Sequence, residues 1–390
     1  MPYWRLSGFY FAYFAALGVF VPFWGLYLKG LGFDAVAIGM LLAIPMATKI
    51  VAPVLWGWLA DYWGRRMAIV RAGALLTALV FCLVFWVSGF WPLALAMALF
   101  SFFWNAILPQ FEAVTFNYLG RRVARYARVR LWGSIGFIVA VIGVGYGVDR
   151  WGAAVAPWML LLCYLAVATA SLLVAEPPAP RLTGGHTPIL QVLRYPTVLA
   201  FFAVCLFHQA GHAAYYGFYS IYLEEQGYSK ALTGQLWALG VVAEVLVFLV
   251  MHRLLQGQGA RRVLIASLLL TALRWFLIGQ FPHWLPLLVA AQFLHAASFG
   301  AFHAAAIHLV HHYFTGRHQG RGQALYGGVS FGAGGAIGSV LSGVLWSNWG
   351  AAFTFHLAAA ASLLAAAITW RWVKEALPGA VGGMANKQTG

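Results

Sequence analysis

The sequence predicts an all-α membrane protein of twelve transmembrane helices arranged as two pseudo-symmetric six-helix bundles, and three observations carry this. Of 390 residues, 63% are hydrophobic and only 8% charged, too few polar groups to cover a water-soluble domain of that length. Apolar runs of about 20 residues, long enough to cross a hydrocarbon core of roughly 30 Å, recur along the whole chain. The basic residues, finally, gather in every second connection between those runs.

The first six runs are 7–29, 36–59, 67–88, 92–118, 130–149 and 153–175. The first extends past signal-peptide length without a small-residue cleavage site and is expected to stay as a helix. Its successors contain Gly and Pro, which neighbouring helices accommodate by re-satisfying the freed backbone groups. The fifth is rich in glycine (Gly133, Gly136, Gly143, Gly145, Gly147), which permits close helix packing or a moving interface. A polar, proline-bearing stretch at 177–194 then divides the chain and reads as a linker. The second set of runs is 197–223, 231–254, 262–281, 285–312, 322–346 and 351–373, with 376–390 as a flexible tail. Its fifth member again carries clustered glycines, from Gly327 to Gly338, while His308, His311 and His312 give the tenth run a polar end suited to headgroups. Cys82, Cys163 and Cys205 fall inside runs without metal-like spacing and read as packing residues.

Two six-helix units are expected because the sequence weakly repeats. Leu131-Trp132-Gly133 returns as Leu325-Tyr326-Gly327, Trp151-Gly152-Ala153-Ala154 as Trp349-Gly350-Ala351-Ala352, and Arg65-Arg66 as Arg261-Arg262, at offsets of 194, 198 and 196 residues. Such a duplication places a cavity at mid-depth between bundles 1–176 and 195–375, exposed alternately to each side as they rock.

A net charge of +15 raises the question of nucleic acid, and the placement of the charges answers against it. Of the 24 Lys and Arg, only Lys29, Arg150 and Lys230 fall in the opposite set of connections, and Lys49 and Arg274 lie within runs. The rest share one side, which by the positive-inside rule is cytoplasmic and holds both termini. No metal-binding motif or nucleophile elbow points to an enzyme, and no cofactor is implied.

Between the second and third runs stands Gly57-Trp58-Leu59-Ala60-Asp61-Tyr62-Trp63-Gly64-Arg65-Arg66, which resembles the signature loop of the major facilitator superfamily. The resemblance implies a gating role for Gly57, Asp61, Gly64, Arg65 and Arg66. Asp61 is expected to meet a helix N-terminus and a neighbouring arginine, in a cluster holding the two halves together on the cytoplasmic side.

Glu112 on the fourth run and Arg130 on the fifth, followed by Phe137, resemble the sugar-binding residues of the lactose permease family. Glu244, Arg274 and His295 on the eighth, ninth and tenth runs resemble its sugar and proton residues. Two positions depart from that pattern, because Ser298 stands where an acid follows the histidine and His208 and His212 replace acids of the seventh run. With Tyr3-Trp4-Arg5-Leu6-Ser7, Phe207-His208-Gln209-Ala210-Gly211-His212 and Leu294-His295-Ala296-Ala297-Ser298-Phe299-Gly300, they are more similar to the phenylpropionate permease group of the same superfamily.

The resemblance implies substrate binding by Glu112, Arg130, Phe137 and Glu244, and proton coupling by Glu244, Arg274 and His295, with His303 secondary. Physical chemistry supports that division, since charges at the bilayer centre cost roughly 3 kcal/mol on insertion scales and need partners or water. A carboxyl withdrawn from water and an imidazole are also the side chains suited to exchanging a proton near neutrality. Glu244, Arg274 and His295 are expected to form one cluster at similar depth. The expected function is proton-coupled symport of a small organic solute, an aromatic carboxylic acid such as phenylpropionate, in a bacterial inner membrane by a monomer. A sugar, oligosaccharide or nucleoside symporter is the alternative, ahead of a drug/proton antiporter or a receptor without flux.

Overall fold

The computed structural model describes residues 1–120, 122, 125–177, 190–315 and 318–375. Most of the expected linker, 178–189, the tail 376–390, and Arg121 and Arg317 lie outside the described residues. Helices α1 (Tyr3–Gly30), α2 (Ala35–Trp63), α3 (Arg66–Phe85), α4 (Phe90–Leu119), α5 (Tyr126–Trp151) and α6 (Val155–Leu172) precede the linker. A helical turn at Leu190–Leu193 leads into α7 (Pro196–Glu225), α8 (Lys230–Gln258), α9 (Ala260–Gln280) and α10 (Leu285–Tyr313). The last helical run, Gln319–Trp372, is 54 residues long and breaks at Gly350, where φ is +80°. It therefore comprises two crossings, α11 (319–349) and α12 (351–372), and the twelve expected spans are all present.

The internal repeat is visible in geometry as well as in letters. Gly152 and Gly350, in the repeated Trp-Gly-Ala-Ala, share a conformation, φ/ψ of 78°/173° and 80°/177°, that only glycine adopts without strain. Helices α2 and α8 each have 29 residues and start and end 195 residues apart. Both have a side-chain N-cap, Asp34 accepting from the Ala37 N–H and Ser229 from the Leu232 N–H, and both end on a left-handed glycine, Gly64 and Gly259. Glu176, just past α6, accepts from the backbone N–H groups of Arg66 and Met67, while Glu375, past α12, accepts from that of Arg261. An acid thus sits on the positive end of the equivalent helices α3 and α9.

Three helix pairs make the seam between α1–α6 and α7–α12. On α1 and α7, a Cβ built on Gly25 would meet the Gly217 carbonyl at 2.4 Å; on α2 and α11, one on Gly39 would meet that of Ser339 at 2.5 Å; on α5 and α8, one on Gly145 would meet that of Lys230 at 2.5 Å. Only glycine lets backbones approach this closely. These approaches run from mid-depth to the end opposite the two termini. There Asp149 of α5 accepts from the Lys230 and Ala231 N–H groups of α8, both at 2.8 Å, and Lys29 of α1 bridges Glu224 and Glu225 of α7.

The signature loop sits at the other end. Asp61 pairs with Arg66, whose second guanidinium nitrogen donates to Gln110 of α4 at 2.6 Å. The helix end expected to receive Asp61 is instead capped by Glu176, so the loop's bonds join α2, α3, α4 and the segment after α6 within the first half. The bridge to the second half that the resemblance implied is absent among the described residues, because the close contacts between halves lie at the opposite end.

Candidate functional site

The site is built first from α1, α4 and α5. Glu112 lies on the last third of α4 and its carboxylate accepts from the Tyr126 hydroxyl at 3.0 Å, while Tyr10 beside it donates to Thr115 at 3.2 Å. One helical turn into α5, the Arg130 guanidinium carbon stands over the Phe14 ring, 3.6 Å from its centroid, a cation–π contact, and the N–H fork has no hydrogen-bond acceptor among the described residues. Glu112 and Arg130 are within electrostatic reach of one another without a direct bond. Phe137, half-buried, is two turns further along α5 and so on the same side as Arg130.

From the other half, Glu244 is the middle residue of α8. Its carboxylate is 3.5 Å from His295 Nε2 on α10, and its other charged neighbours are Arg130 across the seam and His303. The rings of His295, Phe299 and His303 stack in parallel along α10 at centroid separations of 5.7 and 5.8 Å. His303 ends the ladder with a 3.0 Å hydrogen bond to the Tyr326 hydroxyl of α11. The ladder spans a π-helical turn, Ala296–Ala301, a local widening concentrated at functional sites. Glu112, Arg130, Glu244, His295 and His303 therefore surround one space between the halves.

Arg274 does not join them. It is fully buried within the second half, donating to the Ala291 carbonyl at 3.0 Å, Ser298 at 2.9 Å and Gln292 at 3.3 Å and lying against the Tyr215 and Trp275 rings. The expected cluster with Glu244 is thus replaced by neutral acceptors and aromatic faces, which satisfy a guanidinium without a carboxylate. Ser298, where the lactose permease pattern has an acid, is one of those acceptors. His208 and His212 are likewise core residues, His212 Nδ1 meeting the His208 carbonyl at 2.9 Å and His208 stacking on Phe302 at 3.5 Å.

Sequence reasoning missed the aromatic, hydroxyl and amide groups that hold the charges, namely Phe14, Tyr126, Tyr326 and Gln292. It also missed an apolar pocket between α1, α2, α7 and α11, lined by Phe20, Leu42, Met46, Gln209, Tyr216 and Ser339. Tyr216 lies within electrostatic reach of Glu244, so the pocket adjoins the charged space.

Comparison with known proteins settles the family. The model of the MFS_1-like family matches residues 3–357. This chain belongs to that family. It is a transporter of the major facilitator type, a multi-pass membrane protein and not an enzyme. It is 33% identical, over 87% of its own length and 90% of the relative's, to a protein of Escherichia coli (strain K12) named as a probable 3-phenylpropionic acid transporter. It is 26% identical to a maltose permease of Geobacillus stearothermophilus, over 89% of both chains. The crystal structure of a mutant of the nucleoside transporter NupG superposes with a TM-score of 0.84 at 18% identity, covering 95% of this chain and all of that one, which shows the shared fold. Membership in the superfamily and likeness to the phenylpropionate permease group agree with the motifs read from the sequence.

Proposed function

We propose that this transporter is a proton-coupled symporter of an aromatic carboxylic acid such as phenylpropionate, working by alternating access between units 1–176 and 195–375. Both termini face the cytoplasm of a bacterial cell, in its inner membrane, and the monomer is the working unit. The observation that carries the reading is the position of Arg130 between Glu112 of its own half and Glu244 of the other, with Glu244 3.5 Å from His295. With both acids ionised, that group carries a net negative charge and repels an organic anion. A proton taken up at the Glu244–His295 pair removes the repulsion, so the anion enters with a proton. Glu112 and Arg130 form the polar wall of the substrate site, Phe137 supplies a ring face nearby, and His303 and Tyr326 extend the path of the proton. Arg274 acts through His295, which lies within its electrostatic reach, and the signature loop governs the inner end. The seam closed opposite the termini is, in this orientation, the outer gate.

Similarity to a maltose permease and to a nucleoside transporter supports a second reading, a neutral polyhydroxylated solute held by Glu112 and Arg130. Labelled 3-phenylpropionate, maltose and uridine offered to proteoliposomes under an imposed pH gradient separate the two. Carrying a monoanion with one proton moves no net charge, so accumulation should follow the pH gradient at about tenfold per unit, ~1.4 kcal/mol, and ignore the membrane potential. Uptake of maltose or uridine in place of the acid overturns the aromatic-acid reading, and binding without flux makes the chain a receptor.

A further inference from the structure

Among the described residues, Lys49 is the mid-membrane charge that the site as described does not employ. It is the middle residue of α2, as Glu244 is of α8, and the two are related by the same 195-residue offset as their helices. Around α2, the row Met40, Ala47, Val51, Val54 and Trp58 is exposed to the surrounding lipid. At 100° per residue Lys49 stands on the opposite side, continuing the face of Leu42 and Met46 that lines the apolar pocket. It lies deep inside the protein and yet is only half-buried, which means that it borders open space within the bundle. Thr48 and Ile50 on either side are engaged, with Ser101 of α4 and Gly332 of α11. Lys49 has no hydrogen bond, ion pair or charged neighbour among the described residues.

A lysine ammonium at the centre of a membrane protein needs a partner or water, and the partner its charge favours is an anion. Arg130 differs in having two carboxylates within reach, so its field toward a further anion is largely cancelled. We propose that Lys49 is the residue on which the carboxylate of the substrate docks, with the apolar body of the same molecule in the pocket of Phe20, Leu42, Met46 and Tyr216. The ligand class is a monocarboxylate with an apolar or aromatic body. Helical side chains lean toward the helix N-terminus, the direction in which Met46 and Leu42 of that pocket lie one and two turns before Lys49. The inference rests on the aromatic-acid reading above and adds the residue that distinguishes an acid from its neutral analogue.

The test is equilibrium binding of 3-phenylpropionate and of its neutral amide, 3-phenylpropionamide, to the purified full-length chain. The wild type should prefer the acid. Lys49→Met should bind the amide as the wild type does and lose at least tenfold of the preference for the acid, and Lys49→Arg should retain the preference. A wild type that prefers the acid alongside a Lys49→Met protein with the same preference overturns the role of Lys49 and leaves the aromatic-acid reading standing. A Lys49→Arg protein as indifferent as Lys49→Met also overturns it, since the charge would then not be what recognises the acid. A wild type indifferent between acid and amide overturns both.

Discussion

Asp149 allows the strength of the seam opposite the termini, the proposed outer gate, to be worked out. Its two carboxylate oxygens accept from the Lys230 and Ala231 N–H groups at 2.8 Å each, so one side chain of the first half caps the N-terminus of α8 in the second. Such a cap is worth about 1–2 kcal/mol, at the upper part of its range because two donors and a helix dipole meet a formal charge, and below a buried charge-assisted bond because Asp149 is exposed. Lys29 with Glu224 and Glu225 makes a second link, but these side chains are 33–39% exposed, so it contributes below ~1 kcal/mol. The Asp149→Ala variant should therefore raise the ratio of outward-open to outward-closed protein by roughly 5- to 30-fold, and Lys29→Ala by less. The fold should survive, since Ser229 still caps α8 through the Leu232 N–H at 3.1 Å. Spin labels on Ala154→Cys and His283→Cys, with Cys82, Cys163 and Cys205 replaced, report the separation of the halves at this end. An Asp149→Ala distance distribution identical to that of the parent, or a larger change with Lys29→Ala, would refute the ranking of the cap above the ion pairs.

Two further outcomes test the charged space. Glu244→Gln should abolish pH-driven accumulation while leaving substrate counterflow largely intact, because exchange between two liganded states needs no net deprotonation; full accumulation by this variant would remove Glu244 from coupling. Arg130→Lys should weaken substrate binding by roughly tenfold, since an ammonium cannot reproduce the guanidinium fork or its plane on Phe14, and unchanged affinity in calorimetry would relegate Arg130 to packing.

The twelve spans were legible in the sequence because hydropathy over a window is a local property, and the boundary at Gly350 was legible because a repeated Trp-Gly-Ala-Ala marks it. The pairing of charges was not. Arg274 and Glu244 lie at similar depth on neighbouring helices, and nothing in the letters shows that Arg274 turns inward to Ser298, Gln292 and the Ala291 carbonyl while Glu244 turns to the seam. That choice is made by side-chain packing among α7, α9 and α10. Asp149, Glu176 and Glu375 stand at or just past the ends of expected runs, and their role as caps depends on helix ends more than 80 residues away in the chain.

Which features recur between the halves, and which do not, bears on the mechanism. The caps Asp34 and Ser229, the left-handed glycines Gly64 and Gly259, and the acids Glu176 and Glu375 recur in kind at equivalent places, and each shapes a helix end. At mid-depth the correspondence fails. Lys49 faces Glu244 in the repeat, and the register set by Leu131-Trp132-Gly133 and Leu325-Tyr326-Gly327 places Arg130 against Ala324. Two rocking units need matching ends to seal either side of the membrane in turn, which a repeated scaffold supplies. A cavity that must hold one polar solute and one proton needs unlike walls, since two identical charges facing across an axis would repel and leave no partner for either. Opposite signs at the midpoints of α2 and α8 meet that requirement, and under the proposed function they would place the solute anion and the proton on different halves, so that neither half could complete the cycle alone.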